Sequence, residues 1–283
     1  MIKVMKSGFY SSIQDAGRFG YRHYGVPVSG SMDSYSSQFA NLIIGNNSEA
    51  SVMEMTMTGP TLKFSKPTVI SISGADICPH LNMMLINMNS PITISANDVL
   101  SFGRLNSGFR AYLAIKNGFK TETILGSQSM YCGLTKAHRI SVNDTLDYKA
   151  FDKISLSHNS NVKYDASVIN DTIIEVYKGP EFDKVTDELK EMVFDSNFEI
   201  SKLNSRMAYQ LNPLIKNTLK PILTGPVLPG TVQLTPSGQL IILMRDCQTT
   251  GGYPRIFQLT DQSLNKMSQK RTRDKIKISL KDF

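Results

Sequence analysis

"TVQLTPSGQLIIL", Thr231–Leu243, reads as two short strands joined by a tight turn, and this reading decides the class of the fold. Aliphatic and β-branched residues fill both arms. Pro236 suits the second position of a type I turn and Gly238 the fourth. Working outward, "TVISISG" (Thr68–Gly74), "AYLAIKNG" (Ala111–Gly118) and "TIIEVYKG" (Thr172–Gly179) have the same character. Short strands at close spacing with few helices point to barrels or sandwiches. A weak repeat adds to this: "ISANDVLSF" (Ile94–Phe102), "ISVNDTLDY" (Ile140–Tyr148) and "RTRDKIKIS" (Arg271–Ser279). Each copy runs strand, polar turn with an Asp, strand.

Three segments have helical spacing. Ser31 is the expected N-cap of the first, with Asp33 in its opening turn. Met32, Tyr35, Phe39, Leu42 and Ile43 share one face until Gly45 ends it. The second, Asp183–Asp195, carries Val185, Leu189, Met192 and Val193. The third, Asp261–Gln269, turns Leu264 and Met267 inward. The expected fold is mainly β, with two β-rich lobes and a few short helices. The polar stretch between about Lys149 and Asn170 reads as a linker. The lobes are placed at 1–165 and 166–283, the second carrying the QTTGGYP motif.

The chain has 283 residues, 41% of them apolar and 19% charged, a globular composition. The formal net charge is +7, but it is dispersed. The one dense run, Lys266–Lys277, is expected to be solvated surface, and no nucleic-acid-binding signature accompanies it. Cys78, Cys132 and Cys247 form no CxxC pattern, which argues against a disulfide framework or a structural zinc site. The N-terminus turns polar too soon for a signal peptide, and no apolar run has the length of a membrane span. A cytoplasmic protein without a membrane partner is expected.

Common catalytic signatures are missing. There is no phosphate loop of the GxxxxGK[ST] type and no GxSxG elbow. His23, His80, His138 and His158 are scattered, so no metal site is expected. Two polar clusters remain. "SSIQDAGRFGYRHYGVPVSGSMD", Ser11–Asp33, sets Gln14, Asp15, Arg18, Arg22 and His23 among glycines. Two tight turns before a capped helix would explain it equally well. "MRDCQTTGGYPRI", Met244–Ile256, follows the strand "QLIIL" with more polar side chains than a plain hairpin needs.

These stretches also carry a resemblance. "SIQDAGRFGYRHYGVPVSGSMD", "ANLIIGN", "EMTMTGPTLKF", "GFRAYLAIKNGF", "LGSQS" (Leu125–Ser129), "SRMAYQL" (Ser205–Leu211), "PVLPGTVQLTPSGQLIILM" and "DCQTTGGYPRI" occur in this order. Together they resemble the biotin-dependent-carboxyltransferase-like family, also called allophanate hydrolase subunit 2. Its members include the KipA proteins and the C component of bacterial 5-oxoprolinase. The resemblance runs from about Lys3 to Ile278. It implies two cyclophilin-like β-barrel lobes. It also implies a KipI-like partner protein and a LamB/YcsF-like partner protein, which together with this chain form an ATP-dependent enzyme opening 5-oxoproline to glutamate. Two alternatives come with it. One is the carboxyltransferase component of a urea carboxylase, with biotin as cofactor. The other is a KipA-like, non-enzymatic binder of a kinase inhibitor. Two departures stand out. Ala208 replaces the family's usual glycine and Gln210 its usual arginine, and "KRTRDKIKI" lacks the Pro-Gly that usually precedes the last strand.

Both family reactions act on a planar amide, a lactam or urea. Gln and Thr side chains and Gly amides can hydrogen-bond an amide and a developing oxyanion. Asp can serve as general base, and Arg can clamp a carboxylate. The expected catalytic residues are Asp246, Gln248, Thr249 and Asp15. The expected substrate-binding residues are Gln14, Arg18, Asp33, Thr250, Gly251, Tyr253, Arg255, Arg206 and Tyr209.

Overall fold

A computed structural model describes residues 1–151 and 162–281. Residues 152–161 of the expected linker, with His158, lie outside the described residues. The chain forms two compact units, Met1–Arg18 with Asp33–Ile169, and Phe19–Met32 with Asn170–Phe283. The sequence division at 165/166 keeps residues 19–32 in the first lobe, whereas their packing assigns them to the second unit. Met32 is fully buried in the core of that unit. Ser29 N donates to Arg245 O at 3.0 Å, and Ser268 Oγ donates to Met32 O at 2.8 Å.

The first unit holds a seven-stranded and a five-stranded sheet. Strands Thr68–Asp76 and Ser107–Ile115 pair side by side within the five-stranded sheet. One face contributes Ile70, Ile72, Leu113 and Ile115 to a core shared with Ile2, Val4, Leu62 and Phe64. The other face contributes Val69, Tyr112 and Ala114 to a smaller cluster with Ala40 and Ile44 of the first helix region. Ser107–Ile115 is apolar throughout Ala111–Ile115, which is buried on both faces, whereas Thr68–Asp76 alternates Ile70 and Ile72 with the buried Ser71 and Ser73. The helix spans Ser34–Ile43 and its N-cap is Asp33, not Ser31: Asp33 Oδ1 accepts from Ser36 N at 3.0 Å. With the helix starting there, Leu42 turns outward and is exposed.

The second unit is a closed barrel of seven strands. Its order is 173–178, 255–259, 231–234, 240–243, 208–212, 197–204 and 275–280, closed by parallel pairing of the last with the first. The Thr231–Leu243 hairpin forms as expected. Gly238 N donates to Thr235 O at 2.9 Å, and Gly238 takes φ +91°, a conformation costly for a side-chain-bearing residue. The second helix starts later than expected, at Asp187, because Phe182–Lys184 forms a 3-10 turn and Val185 is extended. Met192 faces outward. The last helix spans Asp261–Ser268, capped by Thr260. The basic run beginning there is less solvated than expected. Lys266 pairs with Asp171 at 2.5 Å, and Gln269 and Lys270 are buried. Burial pulls the Lys270 ammonium below the usual lysine range. No helix among the described residues is long and apolar enough to cross a membrane.

The three-copy repeat is one turn built three times. Asp98, Asp144 and Asp274 each accept from the backbone N–H three residues earlier, on Ser95, Ser141 and Arg271, at 2.7, 2.7 and 2.9 Å. The residue before each Asp is left-handed: Asn97 at φ 74°, Asn143 at 71°, Arg273 at 76°. Its N–H donates to a carbonyl elsewhere in its own unit, on Phe64, Val4 and Ile200 respectively.

Candidate functional site

The site is on the outer surface of the barrel. Side chains of a strand alternate between faces. On strand Ala208–Asn212, Tyr209 and Leu211 enter the core, while Ala208 and Gln210 face out. The register carries this alternation across the sheet: Gln210 lies opposite Ile241, and Ile241 opposite Gln233. Ala208, Gln210, Ile241 and Gln233 therefore share one outer face. The "DCQTTGGYP" segment folds over it. Cys247 is fully buried and clusters with Val227 and Leu243, with Ala208 and Ile241 packed alongside. Burial pushes the Cys247 thiol up to about 11, so it is a packing group and not a ready nucleophile.

Between the strands and this segment lies a cavity of about 500 Å³. Gln210, Gln233, Gln248, Gly251 and Tyr253 are among the residues on its wall. Gln233 is 2% exposed, and its Nε2 donates to Tyr253 O at a long 3.4 Å. Gln248 Oε1 is buried and has no hydrogen-bond partner among the described residues. A buried acceptor left unmatched is costly, on the order of 1–3 kcal/mol, and this one can receive a donor from a ligand or from water. Gly251 allows the close approach. A Cβ there would stand 2.5 Å from Gln233 Nε2 and 3.3 Å from Val227.

Several ties hold the segment in place. Arg206 grips Asp246 with two bonds, Nε to Oδ2 at 2.8 Å and Nη2 to Oδ1 at 3.0 Å, and Nη2 also donates to Gly30 O at 2.7 Å. Arg22 Nη2 donates to Val227 O and, at 3.4 Å, to Thr249 O. Thr250–Gly251 pairs with Gly225–Pro226 as a two-residue ladder. Arg255 forks onto Glu181, Nε to Oε2 at 2.9 Å and Nη2 to Oε1 at 2.8 Å, and reaches Pro226 O at 2.7 Å. The Arg255 hydrogen bond holds the Glu181 carboxyl below the usual range.

Of the expected residues in this unit, Gln248, Gly251 and Tyr253 line the cavity. Asp246, Arg206 and Arg255 stand behind it in ion pairs, Thr250 is exposed, and Thr249, expected to be catalytic, is not on the cavity wall: its carbonyl accepts from Val227 N at 3.1 Å. Tyr209 is fully buried on the core side of its strand, where its hydroxyl donates to Lys270 O at 3.3 Å, so it does not face the cavity. The other expected residues belong to the first unit, and each is engaged there. Asp15 accepts from Gly17 N at 2.8 Å, from the Ser127 and Ser129 hydroxyls at 2.6 Å and from Gln128 N at 2.6 Å, which anchors the "LGSQS" loop. Arg18, fully buried, donates to Ile124 O and Ser129 O. Gln14 donates to Ser12 Oγ and Met130 O, and Asp33 caps its helix. Gln233 and Gln210 are wall residues that the motif search missed as site residues. Strand period was the available signal, since it sets both on the polar face of apolar strands.

A family model described as "Carboxyltransferase domain, subdomain A and B" matches residues 24–280. The chain is 28% identical over 275 residues to the C component of 5-oxoprolinase from Escherichia coli (strain K12), covering 95% of this chain and 87% of that protein. It superposes on the crystal structure of urea amidolyase from K. lactis with a TM-score of 0.86 at 28% identity, over 98% of this chain and 18% of that one. It superposes on the crystal structure of TTHA0988 with a TM-score of 0.87 at 23% identity, over 98% of this chain and 55% of that one, a likeness of fold. The chain thus spans about half of TTHA0988 and a smaller share of the K. lactis protein.

Proposed function

Because the chain belongs to the family of carboxyltransferase subdomains A and B, we propose that it is one component of an ATP-dependent 5-oxoprolinase complex, acting on the lactam of 5-oxoproline. The relationship over nearly all of this chain to a protein named as the C component of 5-oxoprolinase supports the reading. The observation that carries it is the unmatched, buried Gln248 Oε1 on a wall shared with Gln233 and Gln210. A cis-amide presents N–H and C=O side by side. Its N–H suits Gln248 Oε1, and its carbonyl suits the Gln233 amide and the glycine N–H groups. In the reaction, the oxygen of water bonds to the lactam carbonyl carbon, the C–N bond breaks and the nitrogen takes a proton. ATP hydrolysis by the complex drives the opening, and ATP is assigned to no residue of this chain. Gln248, Gln233 and the Gly251–Gly252 amides hold the amide, while Asp246, tied to Arg206, positions the segment.

A second reading has its own support in the family and in the likeness to K. lactis urea amidolyase. In that reading, the ureido group of biotin, which would carry the carboxyl, has the same N–H and C=O pattern and fits the same glutamines. The deciding experiment is co-expression with a KipI-like partner and a LamB/YcsF-like partner. Glutamate formation from 5-oxoproline is expected to require ATP, and Gln248→Ala is expected to lower it at least a hundredfold while the complex still assembles. Carboxyl transfer from carboxybiotin to urea, without glutamate formation, would favour the second reading. A Gln248→Ala complex of full activity would remove the role of the cavity.

A further inference from the structure

The wall of the glutamine cavity includes one charged side chain, Lys202, among fourteen residues. Lys202 is exposed and has no ion-pair partner among the described residues. Its position follows from the sheet. Strand Asn197–Asn204 breaks register against Ala208–Asn212 between Ile200 and Asn204, and Lys202 lies in the break. Such a break re-aims the side chains it contains. Lys202 also lines a neighbouring cavity of about 390 Å³, where the other charged residues are Glu199 and Arg273. Gln210 lies on both walls.

Glutamines can match an amide but supply no full charge. A carboxylate turned toward Gln248 Oε1 would set acceptor against acceptor. A ligand that carries both groups is oriented by these two facts, with its amide toward Gln248 and its carboxylate toward Lys202. We infer that Lys202 is the specificity-determining residue of this cavity, selecting amides that bear a carboxylate over neutral amides of the same shape. The inference rests on the amide reading above and names the side chain that would separate a lactam acid from a urea-like ligand.

Titration of the full chain with 5-oxoproline and with 2-pyrrolidinone, the same ring without its carboxylate, tests it. The wild-type chain is expected to favour the acid by up to about fivefold, the range for one ion pair at an exposed site. Added salt is expected to weaken that preference. Lys202→Gln is expected to bring the preference near one while leaving 2-pyrrolidinone affinity unchanged, and Lys202→Arg to retain it. An unchanged preference in Lys202→Gln would overturn the inference, as would an equal loss for both lactams. A wild-type preference for 2-pyrrolidinone would overturn it while sparing the amide reading. If neither lactam bound, or if Gln248→Ala bound both undiminished, the amide reading would fail and this inference with it.

Discussion

A single methyl group at Gly251 would reach into the centre of the candidate site, because it would stand 2.5 Å from Gln233 Nε2. Gln233 is nearly fully buried, and the methyl would push its amide away from the Tyr253 carbonyl and into the cavity it lines. Gly251→Ala is expected to cost about 1–3 kcal/mol in denaturant unfolding, the range for overpacking. The same substitution is expected to weaken lactam binding in titration, through the displaced Gln233. Glu181 gives a second measurement at this scale. Arg255 depresses its folded pKa, so its contribution to stability is fully present above the unfolded value of about 4.3. That contribution is lost as pH falls through the lower, folded value. Urea midpoints measured down through the acid range should therefore fall below about pH 4.3 in the wild-type chain, and this part of the fall should be smaller in Glu181→Gln. The motif at 246–255 was legible as a polar site from composition. The partition of its members was not, because which of Asp246, Gln248 and Arg255 faces a cavity depends on Arg206 and Glu181, 40 and 74 residues away.

Elements whose geometry is local were legible. The Thr235–Gly238 turn follows from Pro236 and Gly238, and the three Asp-bearing turns follow from one short pattern. Two copies place Asn in the left-handed position, which Asn tolerates, while the third places Arg273 there at φ 76°. Arg273→Asn is expected to raise stability by about 0.5–1 kcal/mol, and Asp274→Ala to lower it by about 1 kcal/mol, both read from urea midpoints. Helix boundaries were less legible. Ser31 and Asp33 are both good caps, and the choice of Asp33 accompanies a backbone bond from its own N–H to the Tyr112 hydroxyl at 2.8 Å, a partner 79 residues away. Leu42 and Met192 satisfied helical spacing yet face outward, since helix phase is set by the surface the helix packs on.

At the scale of the whole molecule, one division falls at 169/170, the end of the expected linker, and a second, at residues 19–32, has no compositional mark. Residues 19–32 belong to the barrel unit although 137 residues separate Met32 from Asn170, the first residue of the next segment of that unit. Met32 is in the barrel core, Gly30 O accepts from Arg206, and Ser29 N reaches Arg245 O. A fragment of residues 166–283 is therefore expected to lack a cooperative thermal transition, and one with residues 19–32 joined through a flexible linker is expected to regain it, as followed by circular dichroism. Equal melting of the two fragments would count against this role. The sequence by itself determined the mainly β class, the Thr231–Leu243 hairpin, the repeated turn and the two polar clusters. Each of these depends on period, propensity and residues a few positions apart. Tertiary structure alone decided that Gln210 and Gln233 share a wall with Gln248. It also decided that Asp15 and Arg18 hold a loop in the first unit, and that residues 19–32 complete the barrel. Those outcomes depend on strand register and on partners tens to hundreds of residues apart, which local pattern does not encode.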